Sequence, residues 1–230
     1  MACRKQRVLI VTDSLGAPRS VDEEVINYET TWVYKITTLL TQHNIEVVFM
    51  TINGLDSNGV LQLTKDKLLL YEPSIILFQF GIVDCAPRVL TNKEIMFFSI
   101  FRLSRIVKKI ISKYHAFFSS LRKLQYTDIN AFKVNLEQIY ELCYNQDIKI
   151  VHMPIAPACS KYEIKSPLIS QNIKIYNNVI EKYTNEYLSD LYYCCEKEKI
   201  FLKDLHHLNE EGHNVVFNYL KNNLERIFNL

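Results

Sequence analysis

Four short apolar runs, separated by stretches with helical spacing, constrain this chain more than any other feature. Residues 7–12 (Arg-Val-Leu-Ile-Val-Thr) are apolar on both faces and too short for a buried helix, so they read as a buried parallel strand. Glu46 to Ile52, Ser74 to Phe80 and Ile148 to Met153 read the same way. Between them the spacing predicts a helix from about Glu23 to His43, with Trp32, Ile36, Leu39 and Leu40 on its apolar stripe and Asn44 as its C-cap. Leu61 to Leu70, stopped by Pro73, and Asp128 to Tyr144, with Phe132, Leu136, Ile139 and Leu142 inward, make two more. A helix over Leu168 to Leu188, a short strand around Leu191–Tyr193 and a last helix capped by Asn209 complete the chain. That last helix carries Glu210 and Glu211 in its first turn and Val216, Leu220, Leu224 and Ile227 on its buried stripe. Strands alternating with helices predict an α/β fold of three layers, α/β/α, around a central parallel sheet of about five strands.

Composition fits one substantial core. The 230 residues are 48% hydrophobic, and no linker rich in Pro, Gly or Ser divides them, so one domain is expected. Met-Ala-Cys-Arg-Lys-Gln-Arg runs straight into the first strand instead of a longer apolar signal core, and no 18-residue apolar segment follows. A cytoplasmic protein is the expectation. Six cysteines (Cys3, Cys85, Cys143, Cys159, Cys194, Cys195) lack C-x-x-C spacing and paired His ligands, which predicts reduced, mostly buried thiols, no zinc site and no disulfide framework. No cofactor is implied.

Charge is local. Residues 95–127 contain no Asp or Glu but seven Lys and Arg (Arg102, Arg105, Lys108, Lys109, Lys113, Arg122, Lys123), which leaves the rest of a chain of net charge +2 at −5. Apolar residues at Leu103, Ile106, Ile110, Tyr114 and Phe117 have the spacing of one helix face. The plain reading is a basic helical insertion at about 94–127, packed on the sheet with a solvated basic face. The sharper one is a contact for an anionic partner: a membrane surface, a phosphorylated glycan carrier or coenzyme A. The membrane version would make the protein peripheral to the inner face of the membrane. Nucleic acid is not expected, because no recognition motif accompanies the patch.

The chemistry-bearing residues lie at the two ends. Ser14 follows the first strand, at the edge where open α/β sheets place ligands, and Asp204-Leu205-His206-His207 precedes the last helix. A Ser after a strand is more often a helix cap, and Asp-x-x-His alone is weak. Together they supply a hydroxyl, a base to take its proton and a carboxylate to orient that base. The five glycines, against roughly 16 at average usage, cluster in or beside these segments: Gly16, Gly54, Gly59, Gly81 and Gly212.

The combination resembles the SGNH/GDSL hydrolase family over nearly the whole chain. Asp13-Ser14-Leu15 is similar to its nucleophile motif, Gly54 to its backbone oxyanion donor, Gly81-Ile82-Val83-Asp84 to its Gly-x-Asn-Asp block, and Asp204-x-x-His207 to its acid/base block. The resemblance implies the flavodoxin-like SGNH fold, Ser14 as nucleophile, His207 as base and Asp204 as its orienting acid. It selects His207 over His206, which is left to packing or the rim; His43, His115, His152 and His213 read as structural. Two positions depart from the pattern: Thr12 replaces the motif's Gly, and Val83 replaces the Asn whose side chain helps hold the oxyanion. Losing such a donor costs about 2.7–4 kcal/mol in the transition state, so Asn53, Arg19 or Arg88 is expected to substitute. Asp13 and Asp84 flank the site, bonded either to loop backbone or to substrate. The Asp-Ser-Leu-Gly-Ala-Pro-Arg and Gly-Ile-Val-Asp-Cys-Ala-Pro-Arg segments resemble a bacterial subgroup that accompanies surface-polysaccharide biosynthesis. The implied activity is removal of an O-acetyl or other short acyl group from a small sugar or glycan. Transfer of that group by the same triad and a non-catalytic glycan-binding or scaffold protein are the alternatives.

Overall fold

A computed structural model describes residues 6–100 and 104–228. In chain order, β1 (Arg7–Thr12) is followed by a small hairpin, β2 (Arg19–Val21) and β3 (Glu24–Ile26), then α1 (Trp32–Gln42), β4 (Glu46–Thr51), α2 (Ser57–Asp66) and β5 (Ile75–Gln79). The short helix α3 (Ile82–Cys85) leads into β6 (Pro87–Arg88), three helices α4 (Asn92–Ile100), α5 (Ser104–Lys113) and α6 (His115–Arg122), and β7 (Leu124–Gln125). Then come α7 (Ile129–Tyr144), β8 (Lys149–His152), α8 (Ser160–Lys165), α9 (Ile169–Tyr183), β9 (Glu186–Tyr187), α10 (Glu210–Asn222) and α11 (Leu224–Phe228).

The central sheet has the order β4-β1-β5-β8-β9, and every pair in it is parallel. Because successive side chains of a strand face opposite ways, β1 sends Leu9 and Val11 into one core and Val8 and Ile10 into another. The first core is closed by Val60 of α2, Phe132 and Leu136 of α7 and Tyr176 of α9; the second by Trp32 and Ile36 of α1 and Val216 and Leu220 of α10. This is the expected three-layer α/β/α arrangement with five parallel strands. Ends are set by local chemistry. Thr31 accepts from the Tyr34 N–H to start α1, Asn44 ends it in the left-handed region at φ 63°, and Asn209 accepts from the Gly212 N–H to start α10.

Several boundaries differ from expectation. The helix expected from about Glu23 starts only at Trp32, since Arg19–Val21 and Glu24–Ile26 pair as a hairpin and Asp22 takes φ 53° at its turn. The fifth strand is Glu186–Tyr187, beside β8, and not Leu191–Tyr193, which lies in turns. Two residues are too few to leave a periodic signal. The last helix breaks at Asn223 before Leu224, and the helix expected to reach Leu188 stops at Tyr183.

The basic insertion is three helices, not one, springing from the two-stranded ribbon of β6 and β7. Leu103 and Arg102 lie outside the described residues, as do the side chains of Arg105, Ile106 and Lys108. The rest of the expected inward stripe, Ile110, Tyr114 and Phe117, is exposed. Among the described cysteines, Cys85, Cys143 and Cys159 are buried, Cys194 is exposed and Cys195 half-buried, and all are free thiols. No helix among the described residues is long and apolar enough to cross a membrane.

Candidate active site

The chain lays β4 on one side of β1 and then crosses to β5 on the other, so the C-terminal end of β1 is the switch point of the sheet, where such folds form a crevice. Ser14 sits there. The Asp13 N–H donates to the Gln79 carbonyl at 2.9 Å, and the Asp13 carboxylate accepts the Leu15 N–H at 2.9 Å, which winds Ser14–Gly16 into a single 3-10 turn. Thr12, the replacement for the motif's Gly, donates its hydroxyl to Gln79 Oε1 at 2.5 Å. Its side chain fills space that Gly16 leaves open: a Cβ on Gly16 would lie 2.4 Å from Thr12 Cγ2.

The opposing groups come from a tight loop ahead of α10. Phe201 and Leu208 bridge antiparallel, the Leu202 N–H donates to the His207 carbonyl at 2.8 Å, and Leu205 is forced to φ 75°. A non-glycine residue there is strained, a condition that clusters at functional sites. The loop delivers its side chains to Ser14. His207 Nε2 lies 2.9 Å from Ser14 Oγ, and His207 Nδ1 lies 2.7 Å from Asp204 Oδ2. Asp204 Oδ1 also accepts the N–H groups of His206 at 3.2 Å and His207 at 3.1 Å.

Electrostatics set the proton positions. Burial pushes His207 down from 6.5 to about 4, outweighing the Asp204 carboxylate that favours its charged form; His206 and Arg19 add to the depression. Burial works to raise Asp204, but its hydrogen bonds from His207 and His206 carry it below the ordinary carboxylate value. At neutral pH the imidazole is therefore uncharged. It donates Nδ1–H to Asp204 and offers the Nε2 lone pair to the Ser14 hydroxyl, the protonation pattern a general base requires. Ligand atoms of Asp204, His206 and His207 lie within 4.8 Å of one another, close enough to hold a metal ion. Both His207 nitrogens are already engaged, so a metal would have to displace Ser14 or Asp204.

The other sequence candidates divide. Arg19 Nη2 donates to Asn53 Oδ1 at 3.0 Å, next to exposed Gly54 at φ 71°, and the Arg19 charge acts on His207. Asp13 and Asp84 do not serve as open substrate contacts. Asp13 is buried on the Leu15 N–H and pushed up to about 7 by that burial. Asp84 is buried too, accepting the Ser57 N–H at 3.0 Å and the Ser57 hydroxyl at 2.7 Å, and burial raises it to about 6. It ties the start of α2 to α3. Arg88 stands over the Tyr126 ring at 3.9 Å in the wall of an apolar cavity lined also by helices of the insertion. Val83, in the first turn of α3, offers no side-chain donor.

Among the neighbouring histidines, His206 packs on His207 with ring centroids 4.1 Å apart and on Tyr162 of α8 at 5.8 Å, a rim position as expected. His213 accepts the Trp32 N–H at 3.3 Å and joins α10 to α1. Tyr162 and Gln79 escaped the sequence reading. Only an aromatic in the polar loop before Pro167 pointed to Tyr162, and nothing local pointed to Gln79.

No protein-family model matches the chain, and no curated protein does. Solved structures do. The chain is similar to a lipase/acylhydrolase from Enterococcus faecalis, with a TM-score of 0.64 and 11% identity over 96% of this chain and 97% of that one. It is similar to the psychrotrophic esterase EstA from Pseudoalteromonas sp., with a TM-score of 0.60 and 15% identity over 98% and 100% of the two chains. A catalytic mutant of Axe2, an acetylxylan esterase from Geobacillus stearothermophilus, matches at 0.60 and 11% over 100% and 97%. With its parallel β4-β1-β5-β8-β9 sheet between two helical layers and near-complete overlap with these chains, the protein has the three-layer α/β/α fold of the SGNH/GDSL hydrolases.

Proposed function

We propose that this protein is a serine esterase that removes an O-acetyl or other short acyl group from a carbohydrate. The observation that carries this reading is the continuous relay Ser14–His207–Asp204, with contacts of 2.9 and 2.7 Å. Ser14 Oγ attacks the ester carbonyl carbon as its proton passes to His207 Nε2, and Asp204 stabilises the imidazolium so formed. The C–O bond to the sugar breaks, His207 returns the proton to the departing sugar oxygen, and an acyl-Ser14 remains. Water, deprotonated by the same imidazole, then releases the acid.

The oxyanion falls to the backbone N–H groups of Ser14 and Gly54. The Arg19–Asn53 pair beside Gly54 supplies the donor that Val83 lacks, and the Arg19 charge suits an anionic glycan or a developing oxyanion. The carbohydrate assignment rests on the motif resemblance and on likeness to structures described as acetylxylan and acetyl-xylooligosaccharide esterases.

The test uses 4-nitrophenyl acetate, an acetylated xylo-oligosaccharide and a fluorophosphonate probe. Wild type should hydrolyse both esters and be labelled at Ser14; Ser14→Ala should lose label and lower turnover roughly a thousandfold or more with an unchanged melting curve. Full activity in Ser14→Ala rejects the mechanism, and absence of labelling favours a binding protein. Acetyl-sugar formation from acetyl-coenzyme A in place of acetate release would assign the same triad to transfer.

A further inference from the structure

The insertion between β6 and β7 covers an apolar cavity of about 620 Å³ with the inner sides of its helices, through Ile95 and Phe98 of α4 and Val107 and Ile111 of α5. Large apolar side chains of the same helices are exposed as well. Ile100 is 69% exposed, Leu121 68%, Phe117 65%, Met96 62% and Phe97 54%. An apolar run such as Ile95–Phe98 belongs inside a core or another apolar medium, yet among the described residues of α4 even Ile95, which lines the cavity, is 44% exposed, and Phe98 is half-buried.

Charge identifies the medium. Lys93, Lys109, Lys113 and Lys123 are exposed in and beside the same helices, the segment 95–127 has no acidic residue, and Glu94 at its edge is spent on Arg122 at 2.8 Å. Protein interfaces are depleted in Lys. Exposed Phe, Ile, Leu and Met interleaved with Lys are what an anionic bilayer accepts, apolar tips entering the acyl region while the long cationic chains reach phosphate. The acidic remainder of the molecule, net −5, would turn away from such a surface, so attraction and repulsion select the same face.

We infer that the α4–α6 helices are a docking surface for an anionic lipid bilayer. The surface reaches toward the catalytic cleft: His115 of α6 contacts the Lys165 carbonyl of α8 at 3.3 Å, Ile164 of α8 is 76% exposed, and Tyr162 of α8 stacks on His206. Docking therefore sets the cleft beside the bilayer.

Co-sedimentation of the full chain with vesicles tests this. With phosphatidylglycerol and phosphatidylcholine in equal amounts, wild type should pellet at about 0.1 M salt and be released at about 1 M, where the screening length falls to about 3 Å; with phosphatidylcholine alone it should stay in solution. Phe117→Glu and Leu121→Glu, and separately Lys109→Glu with Lys113→Glu, should each lower the bound fraction roughly tenfold while hydrolysing a soluble ester like wild type. Ser14→Ala and Leu70→Glu, the latter outside the insertion in sequence and 79% exposed, should bind like wild type. Wild type that ignores anionic vesicles, or insertion variants that bind as Leu70→Glu does, overturns the proposal. A dimer that Leu121→Glu splits, with no vesicle binding, would assign the face to self-association instead. Since Ser14→Ala must still bind, failure of docking and failure of the esterase reading are separate results.

Discussion

His207 shows how one side chain's surroundings set a working range. An ordinary histidine near 6.5 would be largely protonated at pH 5 and could not accept the Ser14 proton. Burial holds this one at about 4, so kcat/KM, which follows the free enzyme's base, should remain high down to pH 5 and reach half its plateau near pH 4. Arg19 contributes to that depression by disfavouring a second positive charge nearby. Arg19→Ala should therefore move the acid limb to higher pH while also lowering the plateau roughly a hundredfold if its guanidinium serves the oxyanion. A pH–rate profile of the two proteins checks both. A limb that stays in place would mean that Arg19 does not act on His207 in solution.

The β1 end is a two-position fit. A Thr where the resembled motif has Gly is tolerated because Gly16, one 3-10 turn later, leaves room for its methyl and hydroxyl. Gly16→Ala would place a Cβ against Thr12 at 2.4 Å and Val33 at 2.9 Å, costing about 1–3 kcal/mol as overpacking does and tilting the turn that aims Ser14. Adding Thr12→Gly should recover part of that stability and most of the lost activity, though it forfeits the bond to Gln79. Melting temperatures and turnover of the single and double variants measure the coupling. Additive losses would show that the two positions do not share the space.

Stability against pH is a sum over groups that lie far apart in the chain. His152, His207 and His213 are all pushed from 6.5 to about 4, chiefly by burial, so between those values the unfolded chain binds protons there that the folded one does not. That makes stability rise with pH. Asp13 and Asp84, raised from 3.8 to about 7 and about 6, do the reverse, because the folded protein keeps their protons after the unfolded chain has lost them. Three imidazoles against two carboxyls leave a shallow positive slope, at most about 1.4 kcal/mol per pH unit from pH 4 to 6, and a maximum near neutrality. Urea unfolding across that range should show it; a steep slope, or one of opposite sign, would mean these groups are less buried than the fold makes them.

Much of this molecule was legible in one dimension. Periodicity and apolar runs place the four longest strands within about a residue, because a buried parallel strand needs only local apolar composition to declare itself. The resemblance of Asp204-x-x-His207 to the family's acid/base block picks His207 over His206, and Asp204 Oδ2 lies 2.7 Å from His207 Nδ1. Long-range contacts decided the rest. Asp84 reads as a site residue until Ser57, 27 positions earlier, takes both its oxygens; Arg88 does so until it lies over Tyr126. The Glu24–Ile26 hairpin and the two-residue β9 depend on pairing partners that no window of sequence contains. The stripe through Ile110, Tyr114 and Phe117 has the spacing of a buried face, but periodicity states only that residues share a side. What covers that side is fixed by the neighbours the fold brings to it, and among the described residues these three side chains stay exposed.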